Sequence, residues 1–237
     1  MPFALDHTAA HLAVDMQRLF AERTEWFMPW LPRVLPQVVA LAAHAPNRTL
    51  CTRFIPPESS GQAHGAWRDY YRHWETMTRR EIDPALLELV EPLQRFCPPG
   101  RTVDKTVYSA FGNPKLAASL QRRGITTLIV SGGETDVCVL ATVMAAVDLG
   151  FRVVLPVDAL CSARDGTHDA LIKLYQERFT NQIETTTTER VLREWAPASP
   201  CSPVSAIAIV CDAKAQEQCR AAGAGHATSA RDAPLSV

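Results

Sequence analysis

The stretch Leu128-Ile-Val-Ser-Gly-Gly-Glu-Thr-Asp-Val-Cys-Val139 decides how this chain is read. Its first four residues, apolar or small, read as a buried strand. Gly132 and Gly133 let the backbone turn sharply and pass close to another group. Thr135 or Asp136 then caps a helix whose first turn carries Cys138. The unpaired N–H groups and positive dipole end of that helix sit beside the sulfur, a position that favours the thiolate, the nucleophilic form. Strand, glycine turn and cysteine at a helix start make a candidate nucleophile site, and the rest of the chain can be read by asking what serves that thiol.

Working outward, short apolar runs at 11–16, 49–55, 102–106, 125–131 and 151–157 read as strands, with a sixth at 182–186. Between them, residues 31–44, 115–123, 137–149, 167–179 and 188–195 have helical spacing. Asn113 and Pro114 open the second of these, Gly124 and Gly150 follow the second and third, and Pro36 is expected to shorten or kink the first. Residues 84–95 look amphipathic within a long excursion, 56–100, and 18–36 is a second long connection. This alternation predicts a three-layer α/β/α domain, Rossmann-like, around a mostly parallel sheet of about six strands, spanning residues 1–195. Residues 196–237, rich in alanine, serine and proline, read as a poorly ordered tail. Sites in such sheets lie beyond the carboxyl ends of the strands. Asp15, Lys105 and Cys138 each fall at that end of a separate strand or in the turn after it. A carboxylate at the end of a buried strand is costly unless paired, so Asp15 either braces its turn or does chemistry.

Composition narrows the function classes. Hydrophobic residues make up 47% and charged residues 21% of the 237, enough apolar material for a substantial core. A formal net charge of −1 excludes a broad nucleic-acid-binding surface. No apolar run approaches the ~20 residues of a membrane helix. Seven cysteines without a C-x-x-C pair, and no signal-like amino terminus, fit a reducing cytoplasm. Cys51 and Cys161, in or beside strand-like runs, read as small buried hydrophobes.

Three segments together carry a resemblance to the isochorismatase-like cysteine hydrolases, over roughly residues 8–195: Ala-Val-Asp-Met-Gln at 13–17, Val-Asp-Lys-Thr-Val-Tyr-Ser-Ala-Phe at 103–111 and Gly-Gly-Glu-Thr-Asp-Val-Cys-Val at 132–139. The resemblance implies a catalytic triad of Asp15, Lys105 and Cys138, a cis peptide at Gly133–Glu134 and an oxyanion hole formed by the backbone N–H groups of Glu134 and Cys138. It implies hydrolysis of a C–N bond in a small amide or carbamoyl compound through a Cys138 thioester, because members that cleave isochorismate carry glycine where this chain has Cys138. Nicotinamidases of the family bind a metal through an Asp-x-His pair after the second strand. Residues 52–60 contain no such pair, and His64 and His73 read as surface residues, so neither metal nor cofactor is expected.

Around the triad, Gln17 is expected to orient Asp15 or meet substrate, and Phe20, Trp26 and Phe111 either line the substrate pocket or pack in the core. Arg53 is a candidate for a substrate carboxylate or a structural arginine. Asp136 is expected to cap its helix, and Asp158 and His168 to be structural. Assembly into dimers or tetramers is a further implication of the resemblance, and no nucleic-acid or membrane partner is expected. Two other readings stay open: a catalytically silent binding or oligomerisation module, and a thiol sensor using Cys138 with a resolving cysteine brought close by the fold.

Overall fold

The computed structural model describes residues 4–196, so the tail expected over 196–237 lies, from residue 197 on, outside the described residues. The strands are β1 (Ala9–Val14), β2 (Thr49–Phe54), β3 (Thr102–Lys105), β4 (Thr127–Gly133), β5 (Arg152–Pro156), β6 (Leu160–Cys161) and β7 (Ile183–Thr186). The helices are α1 (Arg18–Ala21), α2 (Leu31–His44), α3 (Ala66–His73), α4 (Glu91–Gln94), α5 (Pro114–Arg122), α6 (Leu140–Asp148), α7 (Asp165–Arg178) and α8 (Thr188–Glu194). All seven strands are parallel, in the order β3-β2-β1-β4-β5-β7, with β6 paired to the end of β4 through Gly132↔Leu160 and Gly133↔Cys161. The expected sheet of about six strands gains β6, two residues long and too short to leave a pattern in the sequence.

Burial explains the near-continuous apolar runs. A parallel strand covered on both faces buries every side chain, and β1 is buried at all six positions. Ala9 and Ala13 face one core with Val34, Val38 and Leu41 of α2 and Val191 of α8. Ala10, Leu12 and Val14 face the other, with Leu116 and Leu120 of α5, Val143 of α6 and Tyr175 of α7. Each buried Val or Leu contributes about 1.5–3 kcal/mol, and these two layers clamp the strand whose end carries Asp15. One polar side chain crosses the sheet interior. His11, fully buried in β1, receives the Ser131 hydroxyl of β4 on Nε2 at 2.8 Å and places Nδ1 3.3 Å from the Thr49 hydroxyl at the start of β2. Because Thr49 donates to the Ala45 carbonyl, it accepts from Nδ1–H, and this neutral imidazole is paired on both sides.

Three expectations are corrected. Helix α2 is not shortened at Pro36 and runs on to His44. Residues 84–95 do not form one helix. Asp83 caps a single 3₁₀ turn at Pro84–Leu87, after which the chain extends so that Val90 N–H meets the Met16 carbonyl at 2.9 Å and Leu89 bridges Gln17. That stitch across the end of β1 wins over helical spacing, and α4 is only four residues long. Cys51 is not an isolated buried thiol: it forms a disulfide with Cys97, closing 46 residues of chain between β2 and the end of the long excursion. Disulfides are rare in a reducing cytosol, so cysteine usage no longer argues for that compartment. Among the described residues, no helix is long and apolar enough to cross a membrane.

Candidate active site

The sheet order creates the site. From β1 the chain moves outward to β2 and β3 on one side, and from β4 it moves to β5 and β7 on the other, so neighbours β1 and β4 form the switch point at whose carboxyl ends a crevice opens. Asp15 follows β1 directly, Cys138 lies in the turn after β4, and Lys105 is the last residue of β3. All three are buried, at 1%, 7% and 2% exposure. The Lys105 ammonium stands 2.7 Å from Asp15 Oδ2 and donates to the Cys138 sulfur at 3.4 Å and the Val107 carbonyl at 3.2 Å. It also lies 4.9 Å above the Phe54 ring. Asp15 is held from the other side by Thr52, whose hydroxyl donates to Oδ1 at 2.5 Å while accepting the Asp15 N–H at 3.0 Å. Asp15 has φ +50°, a left-handed conformation that aspartate tolerates better than most residues. Apart from the ion pair, Oδ2 has no hydrogen-bond partner among the described residues.

The glycine turn is required by space. Gly132 has φ +100°, and a β-carbon there would lie 2.2 Å from the Val14 carbonyl oxygen of the adjoining strand. A β-carbon on Gly133 would lie 2.6 Å from the Met28 sulfur and 3.0 Å from Cys161 Sγ. The peptide Gly133–Glu134 is cis. After it the chain makes one wide π-type turn, Thr135–Val139, before α6 begins. The Glu134 carbonyl accepts the N–H groups of Val137 and Val139. The expected cap by Thr135 or Asp136 is not made: Glu134 occupies the cap position without a side-chain bond. Asp136 instead accepts from Ser162 and Thr167, tying this turn to the start of α7. Thr135 donates to the Cys161 carbonyl at 3.0 Å and pairs with His168 Nδ1 at 2.9 Å.

Electrostatics reverses one expectation. Burial pushes the Cys138 thiol well above its ordinary value, and the Asp15 carboxylate adds to the push, while Lys105 pulls the other way without winning. At rest the Cys138 sulfur therefore carries its proton, against the thiolate anticipated from the helix end. For Lys105 burial acts to lower its pKa, but the Asp15 carboxylate, joined by Cys138 whenever its sulfur is charged, outweighs burial and holds the group above its ordinary value as an ammonium.

A family model for the Isochorismatase domain matches residues 9–187. The chain belongs to the isochorismatase family. Streptothricin hydrolase of Streptomyces noursei is 32% identical over 150 residues, 63% of this chain and 48% of that protein. Ureidoacrylate amidohydrolase RutB of Variovorax paradoxus is 33% identical over 102 residues, 41% of this chain and 38% of that one. The chain spans about half the length of the first curated relatives it matches. A solved cysteine hydrolase from Pseudomonas syringae superposes with a TM-score of 0.65 at 27% identity, covering 79% of this chain and 92% of the other.

Within this isochorismatase-family site the expected pocket residues separate. Phe20 is buried and stacks on the half-buried Trp26 at 6.3 Å, and Trp26 is the hub of an aromatic group with Phe54, Tyr70, Tyr71 and Trp74. Phe111 stacks on Phe151, just before β5 begins, which is the amino end of the sheet and away from the sulfur. That stack is the core packing expected as one of its two alternatives. Gln17 is fully buried and committed to the scaffold: its amide donates to the Phe54 and Leu87 carbonyls and accepts the Phe54 N–H, so it braces the ends of β1 and β2. Arg53 is held by Asp104 and Glu88. His64 and His73 are exposed, and Asp158 caps α8 through the Thr188 N–H. Among the described residues no three His, Cys, Asp or Glu side chains are grouped to hold a metal. The sequence reading missed Thr52, whose signal is a polar residue in a strand buried at nearly every position. It also missed the side chains of Glu134, Tyr71 and Tyr108, which carry no signal without the fold.

Proposed function

We propose that this chain is a cysteine amidohydrolase that cleaves the C–N bond of a small amide or carbamoyl compound, with Asp15, Lys105 and Cys138 as its catalytic triad. The observation that carries the reading is the single buried ammonium that contacts both the Asp15 carboxylate and the Cys138 sulfur at the switch point of the sheet. Hydrolases and amidohydrolases among the relatives support the reaction class. In the proposed reaction Asp15 Oδ2 takes the thiol proton as the sulfur attacks the carbonyl carbon, and Lys105 offsets the charge moving between them. The N–H groups of Glu134 and Cys138 hold the tetrahedral oxyanion, a contribution of about 10²–10³ in rate per donor in comparable enzymes. The C–N bond then breaks, the leaving nitrogen takes the proton back from Asp15, and the acyl group remains as a thioester on Cys138. Asp15 next deprotonates a water, which attacks the thioester and releases the acid, returning the proton to sulfur. No metal or cofactor is part of the proposal. Assembly into dimers or tetramers is, and light scattering tests it.

The test is intact mass spectrometry of the protein incubated with a library of small amides, with released ammonia or amine assayed in the same samples. An acyl adduct mapped to Cys138, or amine release that disappears in Cys138→Ala, is expected. Neither signal with any amide would leave a catalytically silent family member as the better reading.

A further inference from the structure

Half-buried rings gather beside the buried ion pair of Asp15 and Lys105. Helix α3 supplies Trp67 and Tyr70, and the loop after β3 supplies Tyr108. The Trp67 ring lies 4.7 Å from that of Tyr108, tilted by 57°, and 5.3 Å from that of Tyr70, tilted by 76°. Trp67 stacks on Tyr71 at 6.0 Å, 26° from parallel, while Tyr70 and Tyr108 meet Trp67 at the steeper angles, so the rings form a corner and not one continuous stack. Trp67 also packs on Phe54 at 6.4 Å, the ring beneath the Lys105 ammonium, and Tyr108 follows Lys105 in the loop after β3, so the corner adjoins the group of Asp15, Lys105 and Cys138; Tyr70 and Tyr108 also interact electrostatically with Cys138 and Glu134. Glu134 is half-buried, and one of its oxygens accepts the Ala163 N–H at 3.2 Å. Burial pushes its carboxyl up; the Ala163 N–H and Arg164 act against this, and Asp136 and Asp15 add to it. Of the cations in reach, Lys105 is already paired with Asp15 and Arg164 is exposed, so the negative charge here is undercompensated. At the floor of the corner Tyr71 is 1% exposed, its hydroxyl has no partner among the described residues, and it too interacts with Tyr70, Tyr108 and Cys138. A buried hydroxyl left unpaired is destabilising, and a polar group brought by a ligand would satisfy it.

Resting on the amidohydrolase reading, we propose that this site selects amides that carry a protonated nitrogen, seated against the faces of Trp67, Tyr70 and Tyr108 with the Glu134 carboxylate as counter-ion and the Tyr71 hydroxyl bonded to the substrate's amide end. Aromatic faces attract a cation through their quadrupole, more strongly where water is excluded. The carboxylate supplies the full charge and the rings supply the shape. A flat neutral ring would fill the corner but leave Glu134 and Tyr71 unmatched.

The test uses the matched pair 4-aminobutanamide and pentanamide, in which an ammonium replaces a methyl group, with benzamide as the neutral ring. Calorimetric binding to Cys138→Ala protein is expected to favour 4-aminobutanamide over pentanamide by about tenfold. Because Glu134 also lends its backbone to the proposed oxyanion hole, the Glu134→Gln change is read only as a ratio: in Cys138→Ala/Glu134→Gln protein the preference should fall toward one. Equal affinity for the pair, tighter binding of benzamide, a preference that survives Glu134→Gln, or no binding of any of the three overturns the proposal. Hydrolysis by the unsubstituted protein separates the two readings. Binding preference without any turnover would sink the amidohydrolase reading and leave this one standing. Turnover of both amides without preference would do the reverse.

Discussion

The imidazole of His11 should make this protein lose stability when the pH falls from 7 to 5, by an amount the structure fixes. His11 lies fully inside the sheet, and burial lowers its pKa from the model-compound 6.5 to about 3. A group whose pKa is depressed in the folded state contributes stability that is complete above the unfolded value and is lost as pH falls toward the folded one, here between 6.5 and about 3. At pH 5 the unfolded imidazole is protonated over neutral by roughly 30 to 1, whereas the folded one stays almost wholly neutral. Relative to pH 7, where the unfolded ring is mostly neutral too, this protonation favours unfolding by about 2 kcal/mol. The figure barely changes if the folded pKa lies a unit higher, because at pH 5 the folded ring is neutral either way. Urea denaturation at pH 7 and pH 5, on the natural chain and on His11→Gln, isolates the effect from the other titrating groups: the natural chain should lose about 2 kcal/mol more than the variant. Ring-proton NMR of the natural chain supplies a check that does not depend on the variant folding, since the His11 signal should not titrate between pH 7 and 5. An identical loss in both proteins, or a titrating His11 signal, would refute the paired neutral imidazole between Ser131 and Thr49.

Three other outcomes bear on the site itself. Gly132→Ala, which would set a β-carbon 2.2 Å from the Val14 carbonyl at a φ of +100°, should destabilise the protein by about 3–4 kcal/mol in urea and abolish turnover. Lys105→Met leaves Asp15 buried without its cation, so a loss of about 3–5 kcal/mol is expected in the same assay, together with slower alkylation of Cys138. In the natural chain, iodoacetamide labelling of Cys138, followed by peptide mass spectrometry, should be slower at pH 7 than that of an unperturbed thiol. It should keep rising to well above pH 9 because burial holds the group in its thiol form; a plateau near neutrality would show a resting thiolate instead.

What the sequence discloses and what it hides follow from how local each feature is. Helix α2 is read to its boundaries because its apolar face repeats over fourteen residues with Pro32 in its first turn. The meeting of Asp15, Lys105 and Cys138 is legible because parallel strands deliver their carboxyl ends to one edge, so three unconnected segments acquire a common address. The segment 84–95 is misread because its amphipathic spacing is real, but the bond from Val90 that breaks the helix is made to Met16, just past the end of β1 and far away in sequence. Phe111 has the composition of a pocket residue and the position of a core residue, and only the placement of Phe151 decides between them. The Cys51–Cys97 bond depends on where a long excursion returns, which no local pattern encodes. Gln17 carries the right kind of side chain beside Asp15, yet two carbonyls and an N–H from neighbouring elements claim it first.

The corrected state of the thiol bears on how such a site would work. A helix terminus stabilises a nearby charge by about 0.3–1 kcal/mol, and by ~2 kcal/mol in favourable buried geometry, whereas full burial can move an ionisable group by about 3–5 pKa units, the larger free energy. Here only one wide turn precedes α6, and the sulfur is 7% exposed, so burial prevails over the dipole. A thiolate held permanently beside the Asp15 carboxylate would place two negative charges on one ammonium. Keeping the proton on sulfur leaves a matched Asp15–Lys105 pair at rest and an Oδ2 lone pair free to receive that proton. Transfer then becomes favourable only when the charge leaving sulfur has somewhere to go, which is the carbonyl oxygen of a bound substrate facing backbone N–H groups. Under the proposed mechanism the nucleophile is thus generated by the electrophile it attacks, and an empty site keeps an unreactive thiol.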